Sequence, residues 1–151
     1  MRPSARLYPE IIVRCIDLID EIPVIIRLTK DILERHLRTL AAGLVVCTVF
    51  GLFVLGAAPV AVGLIPAPWD KLAHACVYGL MAAAIGLASG LRGSRLVWTA
   101  LVSVILVGVL DEWHQMSLPG RSAGWDDLLA DGIGGLLGVA VLGLRRRTVR
   151  L

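Results

Sequence analysis

Long apolar stretches alternate with short polar segments along most of this chain. No charged residue occurs between Leu40 and Trp69, and residues 72–91, 96–110 and 133–144 are almost as apolar. A helix needs about 20 mainly apolar residues to cross a membrane. The last two stretches reach that length only if the acidic clusters at their ends belong to the helices. The pattern therefore predicts an all-α membrane four-helix bundle, with spans near residues 40–60, 71–91, 96–116 and 126–144.

The N-terminal segment has a different pattern. In residues 1–38, isoleucines and leucines recur at roughly helical spacing among charged residues, and Pro9 and Pro23 interrupt the periodicity. One interpretation is an N-terminal amphipathic helical segment of one or two helices on the inner leaflet; the other is a partner-binding or partly disordered tail. We expect a four-span domain over residues 39–145 to follow, and then a basic cytoplasmic tail over residues 146–151.

Composition supports a membrane location. The chain is 57% hydrophobic, against the roughly 45–50% that is usual in soluble domains. Its pI near 9.1 is compatible with a nucleic-acid partner, but the positions of the basic residues argue against one. They lie before span one, between spans two and three, and after span four, whereas only Lys71 and Arg121 lie on the other side. The positive-inside rule then places both termini in the cytoplasm.

Tryptophans and glycines refine this picture. Trp69, Trp113 and Trp125 lie at the predicted outer boundary and Trp98 at the inner one, as in an aromatic belt. Glycines four residues apart in span two (Gly86, Gly90) and span four (Gly134, Gly138) allow close helix approach. We therefore expect spans two and four to pack tightly.

Ionisable residues cluster at the predicted outer ends of spans two, three and four. Charged groups at membrane depth are costly and usually functional. Topology brings these three helix ends together, so we expect the following residues to converge: Lys71, His74, Asp111, Glu112, His114, Gln115, Arg121, Asp127 and Asp131. Asp111 and Asp131 should lie deepest.

These motifs, in this order and spacing, resemble those of the VanZ-like family. They are DKLAHACVY at 70–78, DEWHQ at 111–115, PGR at 119–121, Asp127, and Ala130-Asp131 with Gly134 and Gly138. The resemblance covers about residues 40–144. It implies a small multi-pass protein of the bacterial cytoplasmic membrane, and the founding members are associated with resistance to glycopeptides such as teicoplanin. Ser117-Leu118 departs from the family's usual aromatic and valine, and residues 1–38 are expected to be an addition to the minimal domain.

One interpretation of the cluster is an enzyme acting on a membrane lipid or a lipid-linked envelope precursor. The candidate catalytic residues, as general acids, bases or proton relays, are Asp111, Glu112, His114, His74, Asp127 and Asp131. The candidate binding residues, with the two cations holding an anionic head group, are Lys71, Arg121, Gln115, Tyr78 and Asp70. No cofactor is predicted. A less favoured form of the enzyme interpretation includes a divalent metal ion, with His74, Asp111, His114 and Asp131 as candidate ligands.

Other interpretations remain open. The site could bind an envelope molecule without chemistry, or dock a homo-oligomeric or other membrane partner. In a non-catalytic scaffold, Arg121 would pair with Asp111 or Asp127, and Lys71 with Glu112 or Asp70. Proton-coupled transport is disfavoured, because the polar residues lie at one end of the spans and no polar trail crosses them.

Overall fold

The chain is all-helical over the residues that the structure describes. A computed structural model describes the backbone of residues 7–121 and 124–148, and the side chains of residues 22–121 and 124–144. The helices are α1 (Leu7–Phe50), α2 (Trp69–Ser89), α3 (Gly93–Met116) and α4 (Trp125–Thr148). A π-helical turn over Gly51–Leu55 extends α1, and a 3₁₀ turn follows at Pro59–Ala61.

The described residues contain four helical segments that are long and apolar enough to cross a membrane. This confirms the predicted number of spans. They are Ile22–Leu55, Trp69–Ser89, Gly93–Met116 and Trp125–Leu144. The last three start and end within a few residues of the predicted spans. The first belongs to helix α1, which begins at Leu7, well before the predicted start of span one near residue 40.

The expected interruption of the N-terminal helix is wrong. Helix α1 runs from Leu7 to Phe50 and includes both Pro9 and Pro23. Pro9 lies in the first turn, where the missing N–H would have no helical partner, and Pro23 forgoes one backbone hydrogen bond within the helix. The chain divides into two compact units, Met1–His36 and Leu37–Leu151. Placement of residues 1–38 on the inner leaflet stays a prediction.

Helices α2 and α4 form the closest packing in the second unit, as expected, and α3 packs against both. Glycines make this approach possible. The Gly134 Cα faces the Ala75 carbonyl, Gly138 faces the Gly79 carbonyl, and a Cβ at Gly79 would lie 2.9 Å from the Gly134 oxygen. The α4 glycines thus have the predicted role. In α2 the contacts come instead from Ala75 and Gly79, whereas Gly86 meets the Leu142 and Leu96 side chains.

The outer surface of the bundle is apolar. Leu80, Leu129 and Val141 are each more than 60% exposed, whereas Tyr78, Ala100 and Val104 are buried in a core shared by α2, α3 and α4. An apolar surface of this extent is unusual for a soluble monomer and suits contact with lipid. The tryptophans Trp69, Trp98, Trp113 and Trp125 are also exposed, as an aromatic belt requires.

Candidate functional site

The predicted convergence of polar residues occurs at one end of the bundle. Lys71 and His74 lie in the first turns of α2, and Asp127 and Asp131 in the first turns of α4. The last turns of α3 supply Asp111, Glu112, His114 and Gln115, and Arg121 lies in the connection between α3 and α4. Helices α2 and α4 therefore begin where α3 ends, which brings the three helix ends together.

Lys71 lies at the centre of a group of aspartates. Its Nζ forms ion pairs with Asp70 at 3.0 Å, with Asp126 at 2.9 Å, and with Asp127. The Lys71 backbone N–H donates to the Asp70 carboxylate at 2.9 Å. Acidic residues in the first turn of a helix also interact favourably with its dipole. Pairing with Asp70 was expected and pairing with Glu112 does not occur, because α4 presents its own aspartates to Lys71.

His74 and Asp131 form a pair that joins α2 to α4. The distance from His74 Nδ1 to Asp131 Oδ1 is 2.9 Å, and Asp131 is completely buried. The other carboxylate oxygen, Oδ2, has no hydrogen-bond partner and lies against Gly108 of α3. The carboxylate fits there because glycine has no side chain: a Cβ at position 108 would lie 2.7 Å from Oδ2.

Asp111 is held by neutral donors rather than by a cation. Its Oδ2 accepts hydrogen bonds from the Tyr78 hydroxyl at 3.2 Å and from Gln115 Nε2 at 3.1 Å. Asp111 is 2% exposed, so Asp111 and Asp131 are the most buried carboxylates described, as the sequence predicted. The Tyr78 ring also stacks on His74, with centroids 5.9 Å apart, and so connects the two buried aspartates.

Arg121 does not form the ion pair with Asp111 or Asp127 that the scaffold interpretation requires. Its Nη1 donates to Gln115 Oε1 at 3.3 Å and its Nη2 to the Gly56 carbonyl at 2.8 Å. The third guanidinium nitrogen, Nε, is buried and has no hydrogen-bond partner. No carboxylate pairs with Arg121 among the side chains that the structure describes, because Gln115 stands between it and Asp111.

Glu112 and His114 make contacts of their own, apart from the His74–Asp131 pair. Glu112 Oε2 accepts the Gly124 backbone N–H at 2.8 Å. The His114 ring packs on Phe53, with centroids 5.3 Å apart, and its buried Nδ1 has no hydrogen-bond partner. These two residues belong to the same end of the bundle, but hydrogen bonds in the described region do not connect them to His74.

A cavity of about 350 Å³ adjoins the cluster. Its polar lining consists of Asp70, Lys71, His74, Gln115, Arg121 and Asp127, and residues 61–65 of the α1–α2 connection also line it. Such a volume suits a small molecule or the head group of a larger one.

A comparison with known protein families agrees with the motifs. The family model for VanZ/LLP1 matches residues 24–146. The chain belongs to the VanZ/LLP1 family. The match starts before residue 40, so part of the segment expected to be an addition lies inside the VanZ/LLP1 region. No curated protein and no solved structure matches the chain.

The proposed metal ligands of this VanZ/LLP1 chain do not meet as a set. Only His74 and Asp131 are in contact, whereas Asp111 accepts hydrogen bonds from Tyr78 and Gln115, and the His114 ring packs against Phe53. No group of three or more His, Cys, Asp or Glu side chains in the described residues has a geometry suited to a metal ion.

Sequence reasoning missed some residues of the VanZ/LLP1 site. Asp126 pairs with Lys71, and its position beside Asp127 was the available signal. The Gly56 carbonyl and the Gly124 N–H bind Arg121 and Glu112 through the main chain. Main-chain contacts of this kind do not depend on the residue type, so the sequence does not reveal them.

Proposed function

We propose that this VanZ/LLP1 protein binds the phosphate-bearing head group of a membrane lipid or lipid-linked envelope molecule. The proposed site is the cavity lined by Arg121, His74 and Gln115. The observation that carries the proposal is the state of Arg121, a guanidinium with no described carboxylate partner and with a buried, unpartnered Nε. A charge that is held in place and left uncompensated at a cavity wall favours an anionic ligand.

The immediate partners of Arg121 support this assignment. Gln115 and the Gly56 carbonyl are neutral acceptors, so they orient the guanidinium plane without neutralising it. An oriented guanidinium can bind a phosphate through two parallel hydrogen bonds. Lys71 was expected to share this role, but its ion pairs with Asp70, Asp126 and Asp127 already satisfy it. In the proposal Lys71 ties α2 to α4, and Arg121 binds the anion.

The His74–Asp131 pair favours a second candidate function, cleavage of a phosphoester bond. Asp131 binds Nδ1, which leaves Nε2 of a cavity-lining histidine available for proton transfer. In this step His74 takes a proton from a water molecule whose oxygen forms a new bond to phosphorus. The bond from phosphorus to the leaving oxygen breaks, and that oxygen receives the proton from His74.

We place this activity at the outer face of a bacterial cytoplasmic membrane, with both termini in the cytoplasm. The basic residues outside the site, which the positive-inside rule would retain in the cytoplasm, support that orientation. An outward-facing site would meet envelope precursors, and through them the protein would affect glycopeptide susceptibility. The alternative is a non-catalytic scaffold or accessory subunit, homo-oligomeric or bound to a membrane partner, in which the charged cluster has a structural role.

The test is binding of short-chain phosphatidic acid to the purified full-length protein in a neutral detergent. We expect Arg121→Gln to weaken binding by about tenfold or more, which corresponds to loss of one charge-assisted contact. Arg92→Gln, at the other end of the bundle, is the matched control and should bind normally. Unchanged binding by a folded Arg121→Gln protein would refute the proposal, and a loss of folding in that variant would favour the scaffold.

The second candidate function has its own readout. Release of inorganic phosphate from phosphatidic acid should require His74, so His74→Ala should bind the lipid yet release none. Absence of phosphate release by the unmodified protein, together with intact binding, would leave a binding function and exclude this cleavage.

A further inference from the structure

A second cavity, of about 450 Å³, lies between α3 and α4. We call it the α3–α4 groove, and its walls include Val109, Glu112, Trp113, Met116, Trp125 and Leu128. Five of these six side chains are apolar or aromatic. Among the residues that the structure describes, Glu112 is the one ionisable residue that lines the groove, so it decides which ligand chemistry the groove favours.

The Glu112 carboxylate is buried, and only one of its two oxygens has a hydrogen-bond partner. Glu112 is 8% exposed; Oε2 accepts the Gly124 N–H at 2.8 Å, whereas Oε1 has no hydrogen-bond partner. Buried polar atoms nearly always have a partner. A buried carboxylate favours a cation that also donates a hydrogen bond, since this satisfies the charge and the free oxygen together.

The basic side chains around the site are engaged elsewhere. Lys71 pairs with three aspartates, His74 with Asp131, and Arg121 with Gln115 and the Gly56 carbonyl. None of the described basic residues forms a hydrogen bond or an ion pair with Glu112. A cation that satisfies Oε1 would therefore come with a ligand.

Two tryptophans beside Glu112 favour an organic cation. Trp113 is 67% exposed and Trp125 is 85% exposed, so both indole rings are accessible to a ligand in the groove. Indole faces attract ammonium groups through cation–π interaction. Val109, Met116 and Leu128 supply an apolar surface for the hydrocarbon attached to such a group.

We propose that the α3–α4 groove binds the primary ammonium of an ethanolamine-type lipid head group. Glu112 Oε1 accepts an N–H of the ammonium, and Trp113 and Trp125 flank it. A primary ammonium is preferred over a quaternary one, because only the former can donate a hydrogen bond to the unpartnered oxygen. This site is separate from the Arg121 cavity, and neither proposal depends on the other.

The experiment compares three short-chain lipids that share a phosphate and differ beyond it. Dihexanoyl phosphatidylethanolamine, phosphatidylcholine and phosphatidylglycerol are titrated against the purified full-length protein in a neutral detergent, with native mass spectrometry as the readout. We expect the ethanolamine lipid to bind about tenfold more tightly than the glycerol lipid, with the choline lipid between them. Equal affinity for all three, as expected if only water fills the groove, overturns the proposal.

Two variants test the assigned residues. Glu112→Gln keeps an oxygen for the Gly124 N–H but loses the charge, and it should remove the preference for the ethanolamine lipid. Trp113→Ala changes an exposed residue, so it should fold, and it should reduce the preference about threefold. Trp98→Ala, at the other end of α3, is the matched control. A preference that persists in both groove variants overturns the proposal. Arg121→Gln, which changes the other cavity, should leave the preference intact.

Discussion

The Nδ1 atom of His74 lies 2.9 Å from Oδ1 of Asp131, so one hydrogen bond joins the first turns of α2 to those of α4. Because Asp131 is fully buried and its Oδ2 has no partner, this bond is the main polar contact of that carboxylate. The two residues should therefore be energetically coupled. We expect a double-mutant cycle of His74→Ala and Asp131→Asn to show a coupling energy of about 0.5–3 kcal/mol.

The measurement is the free energy of unfolding in detergent for both single variants and the double variant. Strict additivity of the two single effects would mean that the bond does not contribute to stability. A cycle of His74→Ala with Asp126→Asn is the comparison, since Asp126 contacts Lys71 rather than His74.

Tyr78 should stabilise the protein through its hydroxyl. The Tyr78 side chain is completely buried, and its O–H donates to Asp111 at 3.2 Å. Tyr78→Phe keeps the ring and removes a donor to a buried carboxylate, so it should lower the free energy of unfolding by about 1–3 kcal/mol. The same change in an Asp111→Asn background should cost less, because the acceptor there is no longer a carboxylate. Equal costs in the two backgrounds would contradict the assignment.

Close contact between α2 and α4 should make Gly134 intolerant of a side chain. A Cβ at Gly134 would collide with the Ala75 carbonyl, which belongs to the main chain and has little room to move. Gly134→Ala should therefore destabilise the protein by about 1–3 kcal/mol, as overpacked cores do. Gly132→Ala is the matched control in the same helix, because nothing lies within 4 Å of a Cβ there. Thermal unfolding in detergent measures both; similar melting temperatures would refute the packing model.

The aspartates around Lys71 should differ in their contributions. The Asp127 side chain is 12% exposed and that of Asp126 is 67% exposed. Ion pairs in contact with water are screened and contribute little, so Asp127→Asn should destabilise the protein clearly more than Asp126→Asn. Unfolding at low and high salt is the measurement, and salt should reduce whatever effect Asp126→Asn has. The reverse order would show that Asp126 is the main partner of Lys71.

The sequence was sufficient for the architecture because membrane helices leave strong signals. Apolar length predicted the number of spans, glycine spacing in α4 predicted its packing against α2, and topology predicted which helix ends would share ionisable residues. The buried positions of Asp111 and Asp131 followed from their places within the spans. The family motifs at 70–78 and 111–115 pointed to the family that the comparison identifies.

The partners of individual charges were beyond the sequence. The scaffold interpretation paired Arg121 with an aspartate, yet Arg121 binds Gln115 and a main-chain oxygen of Gly56, 65 residues away in the chain. Three aspartates share Lys71, and two of them, Asp126 and Asp127, reach it only through the packing of α4 against α2. The continuity of α1 through Pro23 was also missed, because periodicity does not reveal whether a helix tolerates an internal proline.

The glycine contact between α2 and α4 has a consequence for motion at the site. Ala75 is the residue after His74, and Gly134 lies one helical turn after Asp131. These two residues bring the two backbones into direct contact. The spacing of these two helices is thus fixed by atoms that cannot change rotamer, and this pair forms a rigid base for the cavity. Any widening that admits a bulkier ligand must come from α3, from the stretch that carries Arg121, or from residues 61–65.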